Sequence, residues 1–107
     1  MDVKITEKAK AAFHALRDRA IVRVHITPGG GCSAIVNLDL VWDELVPEEV
    51  VYEEDLLYIQ MNTYAKEYIG DTLTIDYGTG FRLYTPNETL GYGLSVQKVK
   101  PVPNEYC

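Results

Sequence analysis

The sequence predicts an α+β fold: a mostly antiparallel, curled, pseudo-barrel-like sheet with two short helices packed on it. Three observations carry this reading. Apolar residues alternate with period two in more segments than they recur at helical spacing. Neighbouring strand-like segments are joined by tight turns, which pair them antiparallel. Only two stretches have both helical spacing and a capping residue. The 107 residues suit one compact domain, expected over 1–100, followed by an extended tail at 101–107. No repeat, linker or low-complexity segment interrupts it.

Taken in order, Thr6 is a plausible cap, and Glu7 sits at the positive end of the helix dipole. Ala9, Ala12, Phe13, Leu16 and Ala20 then recur at helical spacing, which predicts a helix near 7–19. "AIVRVHIT" switches to alternation, with Val22, Val24 and Ile26 facing the core and Arg23, His25 and Thr27 facing away. Thr27 precedes Pro28 and is biased to extended geometry, so this strand should reach the glycine loop. Beyond the loop, "AIVNLDLVW" is a strand with Val36, Leu38, Leu40 and Trp42 inward. "VVYEEDLLYIQM" reads as a hairpin turning at Glu53–Asp55. "NTYAKEYIG" is a short helix, capped by Asn62 or Thr63 and ended by Gly70. "TLTIDYGTGFRLYT" is a second hairpin with Gly78 and Gly80 about its turn. "PNETLGYG" reads as a loop, "LSVQKVK" as the last strand and "PVPNEYC" as a tail. Tyr58, Tyr64, Tyr68, Tyr77 and Tyr84 are expected to pack amphipathically, hydroxyl outward.

The formal net charge of −6 is unevenly placed. Residues 1–23 hold six basic residues against three acids, whereas residues 24–65 hold eight acids and no Lys or Arg. Phosphate contacts need clustered cations, and one short helix does not supply them, so nucleic acid is not an expected partner. No apolar run is long enough to cross a bilayer, and "MDVKITEKAKAAF" has no secretory pattern. With two cysteines and no such signal, a reducing cytoplasm is the expected compartment. The acidic stretch 39–55 reads first as a solvated face, and docking to a basic partner or holding iron stands beside that.

"ITPGGGCSAIV" asks most of the chain, since three successive glycines carry a large entropy cost. No Gly-Lys-Ser/Thr follows and the loop leads into a strand, which rules out a P-loop. "GYGLSV" lacks the third glycine of a dinucleotide fingerprint. A nucleophilic Cys32–His25 pair is disfavoured because His25 is placed away from the core with no third residue to orient it. No enzymatic activity is therefore expected. Two readings of Cys32 stay open: a thiolate favoured by converging backbone N–H groups, or a small packed residue in a tight connection.

From Ile5 to Val96 the chain resembles the HesB/IscA family, the A-type proteins of iron–sulfur cluster assembly. The likeness lies in "ITEKAKAAF", "VRVHI" leading into "GGGCS", "IDYGTGF", and "TPNETLGYGLS". It implies a HesB-like fold, homo-oligomers, iron–sulfur assembly proteins as partners, and iron or a cluster as cargo. It also implies a site built from Gly30, Gly31 and Cys32 together with Gly91, Tyr92 and Gly93. The family's second ligand segment is Cys-Gly-Cys-Gly, but here that frame reads Leu90-Gly91-Tyr92-Gly93. Of three family ligands only Cys32 carries over, so the candidate metal ligands are Cys32, between subunits, and Cys107, the other thiol in the chain, with acidic residues as a further option. Tyr92 is expected to lie near Cys32 and to plug the vacated site with its ring. The resemblance leaves two functions: a cluster-biosynthesis protein with weakened iron or cluster binding, or a non-catalytic binding or regulatory module that keeps the fold without a cluster.

Overall fold

The computed structural model describes residues 1–28 and 36–98. It opens on a strand that the sequence reading did not anticipate, β1 (Asp2–Ile5). Four residues are too few to display periodicity, yet Val3 and Ile5 are buried between the exposed Asp2 and Lys4. Helix α1 (Glu7–Leu16) follows, with the Thr6 hydroxyl accepting from the Ala9 N–H at 3.2 Å. It stops short of residue 19. Arg17 turns to extended backbone while its N–H still bonds the Phe13 carbonyl, and the Ala20 N–H donates to the carbonyl of Leu56, in the turn just before a neighbouring strand. Ala20 thus joins β2 (Ala20–Pro28), and Leu16, expected inside, is 58% exposed.

β2 pairs antiparallel with β3 (Val36–Trp42), setting Ile26 opposite Leu38 and Val22 opposite Trp42. Val22, Val24 and Ile26 face the core as expected. After a single 3-10 turn at Pro47–Glu49 come β4 (Val50–Glu54) and β5 (Leu57–Gln60). Their two-residue turn has positive φ at both Asp55 (50°) and Leu56 (64°), the mirror-image hairpin geometry that usually selects Asn or Gly. Helix α2 (Thr63–Ile69) has Asn62 as its cap, accepting from the Ala65 N–H, and ends at Gly70 with φ 93°. β6 (Thr72–Tyr77) and β7 (Phe81–Tyr84) form the second expected hairpin.

The segment expected as a loop is the main correction. Thr89–Leu94 is a strand, β8, paired antiparallel with β7, and only Pro86–Glu88 remain outside it. Two glycines mask its alternation, while the ladder to β7 and the inward packing of Leu90 and Leu94 hold it extended. β9 is confined to Val96–Gln97 among the described residues and runs parallel to β3.

The strands form two mixed sheets, β1-β6-β7-β8 and β4-β5-β2-β3-β9, which are not closed into a barrel. Antiparallel pairs lead, but β1–β6, β2–β5 and β3–β9 are parallel because helices or long crossovers connect their strands. One core joins both sheets and both helices. At its centre the Phe13 ring of α1 stacks on Phe81 of β7, centroids 4.2 Å apart, and Tyr77 meets Phe81 edge-on at 4.8 Å.

Candidate functional site

Gly30, Gly31, Cys32 and Cys107 lie outside the described residues, and so does the expected proximity of Cys32 to Tyr92. The other half of the candidate site is fully described. The ladder from β8 to β7 shifts register on both sides of Gly91, and Gly93 has φ 64°, so strict alternation does not hold along β8: Leu90 and Leu94 pack against the core, where both are half-buried, while Tyr92 between them is exposed. Tyr92 is 78% exposed among the described residues, and the packing of its ring on Cys32 that the resemblance implies falls on residues outside them.

Gly91 is pressed between side chains: a Cβ there would come 3.0 Å from Leu94 Cδ1 and 3.6 Å from Leu38 Cδ2. Leu38 lies two residues beyond the start of β3, so the Leu90–Gly93 segment packs against the strand that emerges from residues 29–35. Gly93 has φ 64°, and a Cβ on Gly80 would stand 2.7 Å from its Cα and carbonyl carbon. The β6–β7 turn at Gly80 and β8 at Gly93 therefore both need glycine where they cross. The glycines at the expected ligand frame have a packing role in this chain.

Beside this crossing, between α1 and the β6–β7 turn, runs an apolar groove of about 440 Å³, lined by Ala12, Ala15, Leu16, Phe81, Leu94 and Val96 among others. A polar hollow of about 310 Å³ adjoins it, sharing Tyr77, Thr79, Gly80 and Gly93 and adding Lys8, Asp76, Arg82 and Tyr92. Asp76 accepts from the Thr6 hydroxyl at 2.7 Å and from Arg82 Nη2 at 3.1 Å. The Thr6 hydroxyl, then the Tyr77 N–H and Arg82, hold its carboxyl below the usual Asp range.

Three acids of the 39–55 stretch are engaged internally. Arg23, expected on the outer face of β2, is only 6% exposed. Its Nε donates to Asp43 Oδ2 at 2.6 Å and its Nη2 to Glu49 Oε1 at 2.5 Å. The buried Gln60 fixes the same connection, donating to the Glu44 carbonyl and accepting from the Val46 N–H. Glu54 accepts from the Tyr52 hydroxyl at 2.8 Å and lies 3.4 Å from Lys10 Nζ; the hydroxyl first, then the ammonium, lowers its pKa. The sequence signal for this network was present: Arg23 is the last cation before 42 residues that hold eight acids. Among the described residues no three His, Cys, Asp or Glu side chains gather as metal ligands. His25 is half-buried and stands opposite Asp39 in the β2–β3 register.

The sequence profile for iron–sulphur cluster biosynthesis matches residues 1–98. The chain belongs to that family. None of the curated proteins matches it. Among solved structures, a Lactobacillus acidophilus protein described as a candidate Fe–S biosynthesis protein aligns with TM-score 0.64 and 17% identity, covering 92% of this chain and 90% of that one. A similarly described Lactobacillus salivarius protein gives 0.63 and 18%, covering 92% and 98%. SufA of Escherichia coli, involved in the biosynthesis of iron–sulfur clusters, gives 0.61 and 18%, covering 81% and 82%. At these identities the likeness is one of fold, so the chemistry of this family member rests on its own residues.

Proposed function

We propose that this chain serves iron–sulfur cluster biosynthesis as a non-enzymatic binding module and does not itself carry a cluster in the manner of a Cys-Gly-Cys protein. One observation carries the reading: of the two positions where the family resemblance expects thiolates, one holds Leu90, packed on the core, and the other Tyr92, 78% exposed. Cluster cargo is held by about four thiolates, and a hydrocarbon and an outward phenol supply none. Cys32 and Cys107 are the only thiols in the chain. Two copies would offer four, and only the Cys32 pair among them stands at a position where the family resemblance expects a ligand. Its proposed partners are other copies of itself and iron–sulfur assembly proteins, and its proposed compartment is a reducing cytoplasm in which both thiols stay free.

Anaerobic incubation with ferrous iron and sulfide, followed by desalting, tests this. The expected result is a protein without thiolate-to-iron absorption in the visible range, indistinguishable from Cys32→Ala. A stable brown protein whose colour disappears in Cys32→Ala would overturn the proposal in favour of a cluster held through Cys32 between subunits.

A further inference from the structure

The cleft beside α1 is left unexplained by the fold and by the reading above. Leu16 falls on the helical period of the core, yet it is exposed at the lip of the apolar groove with Ala12 and Ala15. That groove, about 440 Å³, meets the polar hollow, about 310 Å³, along Tyr77, Thr79, Gly80 and Gly93. Both volumes are those of small-molecule sites, which are mostly apolar with a few placed polar groups. The charges of the hollow do not cancel. Both carboxylate oxygens of Asp76 are engaged, Oδ1 by the Thr6 hydroxyl at 2.7 Å and Oδ2 by Arg82 Nη2 at 3.1 Å. Arg82 is engaged in turn, by that carboxylate and by the Tyr84 ring 4.8 Å from its guanidinium. Lys8 is not: it lines the same hollow, and among the described residues it forms no ion pair. One positive charge is thus unmatched there, in a chain of net charge −6.

We infer that this cleft binds a small amphiphile with a single negative charge, a medium-chain monocarboxylate, with its hydrocarbon along Ala12–Leu16 and its carboxylate at Lys8. Lys8, Ala12, Ala15 and Leu16 follow one another on one face of α1, at the spacing i, i+4, i+7, i+8. Lys8 stands at the polar end of that face and Leu16 at the apolar end. The rise between them is about 12 Å, which suits a chain of about eight to ten carbons. Each methylene removed from water adds to affinity until the face is covered. The head group follows from the single unmatched ammonium. A phosphate monoester would bring a second negative charge with no unpaired cation to meet it, and a cationic head would meet Lys8 as a like charge. No thiol takes part, so the inference holds whether or not the chain carries a cluster.

Amide chemical shifts of the metal-free, nitrogen-15-labelled full chain, titrated to about 10 mM with hexanoate, octanoate and octylamine, test it. Octanoate is expected to give saturable shifts centred on Ala12–Leu16, Gly80 and Gly93–Val96. It should bind at least about fourfold more tightly than hexanoate, which has two methylenes fewer, and at least about threefold more tightly than octylamine. Two variants at exposed helix positions keep the fold, and circular dichroism verifies each. Lys8→Glu puts an acid in the first turn, where the helix dipole favours it, and is expected to invert the preference so that octylamine binds more tightly than octanoate. Ala15→Gln places a good helix former in the groove and is expected to weaken both ligands at least about threefold. Absence of saturable octanoate shifts, equal binding of octanoate and octylamine by the wild type, or an unchanged preference in Lys8→Glu would each overturn the inference. Flotation with phosphatidylglycerol vesicles, without octanoate shifts, would also overturn it and make the cleft a membrane contact.

Discussion

Arg23 shows how much one side chain organises here. Its guanidinium joins the β3 end to the 3-10 turn through Asp43 and Glu49, and it is nearly sealed from solvent. Replacing it with Met keeps the volume but strands two carboxylates. Because those carboxylates are part-exposed, Arg23→Met is expected to cost about 2–3 kcal/mol, below the 3–5 of a fully buried pair; urea unfolding checks it, and a loss under 0.5 would contradict the network's role. Alternation placed Arg23 correctly on the face opposite Val22 and Val24, but the sequence did not reveal that the 43–49 connection folds over that face. Asp76 supplies a pH dependence. Its folded pKa lies below the ordinary Asp value of about 3.9, set by the Thr6 hydroxyl, the Tyr77 N–H and Arg82. Its contribution to stability is therefore complete above the unfolded value and fades as pH falls through the folded one. Asp76→Asn is expected to flatten the fall in urea midpoint below pH 4. An unchanged acid slope would remove Asp76 from the account.

At the scale of elements, α1 is held by the Phe13–Phe81 stack, and Phe13 is fully buried. Phe13→Ala is expected to lose about 3–5 kcal/mol by chemical denaturation. The β7–β8 crossing is as demanding. Gly80→Ala drives a Cβ to 2.7 Å from Gly93 backbone, which cannot yield as a side chain would; a loss of about 1–3 kcal/mol is expected, and a neutral result would show that the crossing relaxes. The two hairpins, both helix caps and the glycine loop's place between two strands were legible, because turn chemistry and capping are written in adjacent residues. β1 and β8 were not. One is too short to show a period, and the other is a strand only because β7 pairs with it across a bulged register. The same bulged register and the positive φ at Gly93 leave Tyr92 exposed between two core-packed leucines, which no period in the sequence announced.

For the whole molecule, composition and element order were enough for the α+β class and for a family resemblance that the profile match over residues 1–98 bears out. Neither told that the sheet divides into two mixed layers, since that depends on parallel pairings between strands distant in sequence. The division bears on the proposed function: β8 closes one sheet and packs through Gly91 on Leu38 of the other, so the segment that the resemblance aligns with the family's ligand frame sits where the layers meet. The central claim is that this junction has kept its backbone and lost its thiolates. The most direct test is to restore them, comparing Leu90→Cys/Tyr92→Cys with the wild type under identical anaerobic iron and sulfide loading and quantifying bound iron and acid-labile sulfide. The account predicts cluster in the double variant and none above background in the wild type. Equal cluster content in the two proteins would contradict it.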